Sequence, residues 1–139
     1  MKATTSLTRK LLVPAILIFA GVYACSAQRT TAVSKGQWGA AGVVMDVTDA
    51  GASLDFDCAN GTITKQLRVK RDGSFTAEGT WMRNGPGPIR ADAQGRAVTF
   101  KGKVKGKTMT LHITDAKTDE TIADYTLVHG ASVRLHHCY

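Results

Sequence analysis

LDFDCANGTI, Leu54 to Ile63, alternates apolar and acidic residues as far as Cys58 and then reaches Asn60-Gly61. A side-chain period of two puts Leu54, Phe56 and Cys58 on one face of a strand and Asp55 and Asp57 on the other. Asn-Gly is among the strongest two-residue hairpin signals, so a tight turn is expected at Asn60-Gly61. The same pattern runs outward in both directions. Upstream, Val43, Met45 and Val47 alternate with Val44, Asp46 and Thr48. Downstream, Ile63, Leu67 and Val69 share a face that Lys65 interrupts, and Phe75, Ala77, Gly79 and Trp81 face one way. After Asn84-Gly85-Pro86-Gly87-Pro88 and a weak run at 89–93 come Val98, Phe100, Gly102 and Val104, then Met109, Leu111 and Ile113. Ile122 to Val128 is apolar on both faces, as a strand covered on both sides would be, and Val133 to Cys138 is the last run. No window sustains a capped helical period. Short strands with turn signals about every ten residues predict an all-β domain, a single small antiparallel up-and-down β-barrel of about eight strands, with a β-sandwich as the alternative. The barrel is preferred because the connections are short and a closed sheet leaves no edge.

The chain opens with a short basic segment and then LLVPAILIFAGVYA, Leu11 to Ala24, an apolar run too short and too interrupted by Pro14 for a membrane span. This reads as a secretory signal over residues 1–24. VYAC resembles a bacterial lipobox with Cys25 as the lipidated residue, although Tyr23 is bulkier than usual there; cleavage after Ala24 or Ala27 by the ordinary signal peptidase is the competing reading. Loss of Lys2, Arg9 and Lys10 lowers the net charge from +7 to +4, a moderate basic excess. What remains is long enough for one core and too short for two. Residues 25–35, polar and ending SAQRTTAVSK, are expected to form a tether, and 36–139 the barrel.

Export exposes thiols to oxidation. With Cys25 lipidated or removed, Cys58 and Cys138 remain and are expected to form a disulfide closing most of the domain. A free nucleophilic thiol at Cys58 would need a nearby base and a lowered pKa, for which the sequence offers no sign.

GQW, Gly36 to Trp38, opens the first strand directly after the tether in a way that resembles the calycin barrels, the lipocalins and avidins. That resemblance implies a tryptophan plugging one end of the barrel, an arginine packed over it, here Arg134 in SVRLHHC, and a small apolar ligand at the mouth. More of the chain resembles an uncharacterised family of small exported bacterial proteins, which share a W-G near the start, a D-C-A-x-G-T-I segment, a late T-M-T-L strand and a cysteine close to the terminus. The stretches GQWGAAGVVMDVTDAGASLDFDCANGTI, GKTMTLHITD, YTLVHG and VRLHHC carry it. It implies no activity, and its two cysteine positions agree with the Cys58 to Cys138 bridge.

Remaining polar residues have plain structural readings. Lys101, Lys103, Lys105 and Lys107, with Arg68, Lys70 and Arg71, could offer a basic surface to phosphate-rich polymers or anionic lipid, but a solvated strand guarded by lysine is the preferred reading. His136 and His137 point to opposite faces of a regular strand, and His112 or His129 would join them only through the fold, so no metal is expected. Asp55 and Asp57 read as the polar side of a half-buried strand rather than a paired acid and base. Lys65 and Asp124 both interrupt apolar faces, and a buried Lys65–Asp124 pair is one way to satisfy both. Asn60-Gly61-Thr62 matches a glycosylation sequon, but the turn chemistry already accounts for it. The chain lacks G-x-S-x-G, H-E-x-x-H and phosphate-loop motifs.

The expected role is therefore non-enzymatic, with no cofactor: an exported, lipid-anchored envelope barrel that binds a small apolar or amphipathic ligand or an envelope component. A module acting through a surface loop, Arg83 to Arg90 first, is the alternative, and a small enzyme the third. Nucleic acid is not an expected partner, the membrane is met only through the signal or anchor, and the protein is expected to be a monomer.

Overall fold

The computed structural model describes residues 29–85, 87, 88, 94–136 and 138. Eight antiparallel strands close into a barrel: β2 (Gly36–Ala40), β3 (Val43–Val47), β4 (Ala52–Phe56), β5 (Ala59–Ile63), β7 (Ser74–Arg83), β8 (Arg96–Lys105), β9 (Thr108–Asp115) and β10 (Thr121–His129), with β10 returning to β2. A separate two-stranded ribbon joins β1 (Thr31–Ala32) to β6 (Arg68–Val69). Up-and-down order gives the barrel two distinct ends. The chain enters β2 at one of them, where the connections 48–51, 64–73 and 106–107 also lie; at the other are 41–42, 57–58 and 116–120, the end of β7 and the start of β8.

Alternation decides what lies inside. Trp38, Val43, Met45, Leu54, Phe100, Met109, Leu111, Ile113 and Leu127 are buried in a single core. Inward glycines make room for the largest of them. A Cβ on Gly79 would stand 2.8 Å from the ring of Phe100, and one on Gly102 2.6 Å from that of Phe75. The interior is thus filled by the protein's own side chains along most of its depth.

Two features of the sequence pattern are realised differently. Asn60-Gly61 does not turn: Phe56 pairs with Ala59, so the two-residue turn is Asp57-Cys58, and Asn60 and Gly61 lie in β5. The reason is register. Turning at Asn60-Gly61 would lose the inward set Ala59, Gly61 and Ile63, which β5 needs to continue the core. Ile122 to Val128 is not covered on both sides either. Leu127 is buried and Tyr125 half-buried, whereas Asp124, Thr126 and Val128 point outward and are exposed. The supposed tether also contributes to the fold. Val33 is buried and its N–H donates to Leu67 O at 3.0 Å, carrying β1 across the entry end.

Closure between β10 and β2 is narrow, limited to Val128 opposite Gly39 and His129 opposite Trp38. The segment after β10 lies over this seam. Gly130 N–H donates to Gln37 O at 2.7 Å, Gln37 Nε2 to Ala131 O at 3.0 Å, and Ala131 and Val133 pack on the outer side of Gly39. Further on, His136 N–H reaches Asp57 Oδ1 at 2.7 Å, and Cys138 bonds to Cys58.

Candidate functional site

Trp38 sits at the entry end, fully buried, with its Nε1–H donating to Ser34 O at 3.0 Å. His129 packs on the indole, centroid to centroid 4.8 Å, and its own Nε2 lies 3.0 Å from Lys35 O. Trp38 thus fills this end, and the residue over it is His129 and not Arg134, which lies exposed in the segment after β10. The cross-strand register explains the difference, since it places His129 directly opposite Trp38.

The opposite end is open. A recess of about 540 Å³ lies there between the tips of the β2–β3 and β4–β5 hairpins, the last residues of β7 and the first half of β10. Phe56, Trp81, Tyr125, Ile122 and Ala123 give it an apolar lining; Asp57, Cys58 and Arg83 supply its polar part. Each aromatic arrives by strand alternation: Phe56 ends β4, Trp81 continues the inward face of β7, and Tyr125 follows Leu127 by two along β10. The Phe56 and Tyr125 rings are 5.5 Å apart. Burial, and then the negative charge of Asp57, push the Tyr125 phenol above its ordinary pKa of 10.0. It remains a neutral hydroxyl donor at physiological pH.

Beyond Trp81 the rim is charged. Arg96, directly opposite Trp81 on β8, pairs through Nε with Asp115. Asp115 Oδ1 also accepts from Thr118 N at 2.9 Å and Lys117 N at 2.7 Å. Those two backbone donors, and then Arg96, hold its carboxyl far below the usual range. Asp57 is fixed in turn by His136 N–H. This end thus combines an aromatic floor, one hydroxyl donor and fixed charges of both signs, an arrangement suited to a molecule with an apolar body and a polar head.

Other residues singled out by the sequence do not converge. Lys65 and Asp124 form no buried pair. Lys65 lies exposed in the 64–73 connection, and Asp124 projects outward from β10 to contact His112 Nδ1, its cross-strand neighbour. Two charges that reach water need no buried partner. The His112–Asp124 contact borders a second recess of about 430 Å³ along β8, β9 and β10, in which Tyr125 is the one aromatic besides the His112 ring. Asp55 is exposed on β4 while Asp57 occupies the turn, so they do not form a paired-carboxylate site. Among the described residues no three potential metal ligands cluster. Cys25 and His137 lie outside the described residues, as does part of the Arg83 to Arg90 loop. Trp81 was legible as an inward residue; Tyr125 was obscured by the two-sided apolarity of its strand, although the period of two through Ala123, Tyr125 and Leu127 marks it.

Fold and site together define an antiparallel eight-stranded barrel plugged at one end and open at the other. In comparisons with known proteins no family model, no curated protein and no solved structure matches the chain.

Proposed function

We propose that this is an exported, envelope-anchored binding protein, attached through Cys25, that holds a small amphipathic ligand in the open mouth of its barrel without transforming it. The single observation that carries this reading is the aromatic recess of Phe56, Trp81 and Tyr125 at the end opposite the Trp38 plug. Its size falls within the range usual for small-molecule sites, about 300–1,000 Å³. The packed core below sets a limit: the ligand occupies the mouth and does not thread the barrel. Apolar atoms would lie against the three rings, with a polar head towards the Tyr125 hydroxyl and Arg83. The N-terminal signal and the Cys58–Cys138 bridge support an oxidising compartment for this activity.

The two tryptophans make the test direct. An anilinonaphthalene sulfonate, apolar rings carrying one anionic group, should quench the emission of Trp81 and leave that of Trp38 unchanged. Trp81→Phe should abolish the quenching and Trp38→Phe should retain it. Quenching lost with Trp38 but kept without Trp81 would move the site away from the mouth. The filled interior favours one second reading, in which the rim around Arg83 contacts an envelope protein; an absence of any mouth-dependent probe binding would select it.

A further inference from the structure

Charge is divided unevenly between the two ends of the barrel. Lys65, Arg68, Lys70, Arg71, Lys105 and Lys107 all lie on connections or strand ends at the plugged end, and all are exposed. Backbone hydrogen bonds gather these segments: Val104 N–H donates to Gly73 O and His129 N–H to Lys107 O, each at 2.8 Å. Few acids offset them. Asp49 is taken by Lys35 at 2.8 Å, and Asp72 is occupied by the N–H and hydroxyl of Ser74. At the open end the balance reverses among the described residues, with Asp57, Asp115, Asp119 and Glu120 set against Arg83, Arg96 and Lys117.

The chain preceding the barrel joins it at this same basic end, through β1. We infer that the plugged end docks on the surface of an anionic lipid bilayer. The inference rests on the envelope-anchored reading above. From Cys25 to Thr31 is only six residues, which at full extension reach about 20 Å, so an anchor at Cys25 holds this end and no other beside the membrane. At physiological salt the Debye length is about 8 Å, so seated lysines and arginines feel the surface potential. Each contributes roughly a fivefold strengthening of attachment. Anchor and basic face then act as the two signals of a stable peripheral attachment. Docking also sets orientation: the recess faces away from the bilayer, open to whatever it binds.

The test uses the protein purified from its own envelope, added to phosphatidylcholine vesicles with or without about 30 % phosphatidylglycerol. A water-soluble amine reagent labels exposed lysines, and peptide mass spectrometry reads each one. Lys70, Lys105 and Lys107 should label several-fold more slowly on the anionic vesicles at low salt and recover at high salt, while Lys117 at the opposite end labels equally throughout. Equal labelling on both vesicle types overturns the inference, as does protection that ignores salt. Protection by a soluble anionic polysaccharide but not by anionic vesicles also overturns it, assigning the face to a polymer. The combined variant Lys70→Gln, Arg71→Gln and Lys107→Gln should lose the lipid-dependent protection of Lys105. Intact mass of the same sample tests the anchor separately. A mass without acyl chains refutes the lipid anchor at Cys25, yet flotation of that sample with anionic vesicles alone would still support the basic face.

Discussion

At the open rim, Asp115 shows what a single side chain contributes through its charge. Its carboxylate is held by two backbone N–H groups and by Arg96, all of which favour the ionised form. The pKa is therefore lower in the folded protein than the ordinary 3.8. The stabilisation is complete above that ordinary value and is lost as pH falls below it. Asp115→Asn should accordingly lower the urea midpoint at about pH 6, and the gap from wild type should narrow as pH approaches about 2; a gap constant with pH would show that the charge is not what stabilises. Asp115 was not singled out in the sequence, because its partners come from β8 and from the turn after β9. Lys65 and Asp124 illustrate the reverse. Each breaks an apolar face in sequence, but Asp124 stands on the outer wall of β10, and Lys65 lies where the chain has left β5, exposed between the buried Ile63 and Leu67.

At the level of elements, β7 and β8 depend on glycines as much as on aromatics. Gly79 has no room for a methyl group, since a Cβ would press on the backbone carbonyl of Thr62 as well as on Phe100. Gly79→Ala should cost about 1–3 kcal/mol by overpacking, read as a lower urea midpoint with an unchanged slope. If Gly79→Ala is neutral, Phe100 does not fill the barrel at that level. Strand order was legible because a period of two survives in almost every segment. The turn was misplaced where two local signals disagreed: Asn-Gly favoured a turn, while Ala59, Gly61 and Ile63 needed to face inward. Burial of a strand face won over dipeptide preference. β10 misled for a related reason, because Val128 is an apolar residue left on the outer wall and Ile122 faces the mouth.

For the whole molecule, stability turns on how the ends of the barrel chain are joined. β10 meets β2 at only two residue pairs, and the strap beyond β10 crosses that seam to the Cys58–Cys138 bridge. The bridge spans 80 residues. Chain-entropy reasoning for a loop of this size gives an upper figure of about 4.5 kcal/mol. Cys138→Ser should lower the unfolding free energy by up to that amount, with the loss matched by wild type under reductant; a reductant-insensitive midpoint would contradict it. The bridge could be foreseen from cysteine count and the export that the N-terminal segment led one to expect, and closure from the short connections. The mouth could not, since Phe56, Trp81 and Tyr125 come together only through the register of three separate strands. The same topology imposes an order in time. Cys58 is synthesised 80 residues ahead of its partner, and β2 has no neighbour on its open side until β10 exists. During that interval the nascent chain carries an unshielded thiol and a bare sheet edge together, and either one can be captured by the wrong partner before the barrel closes.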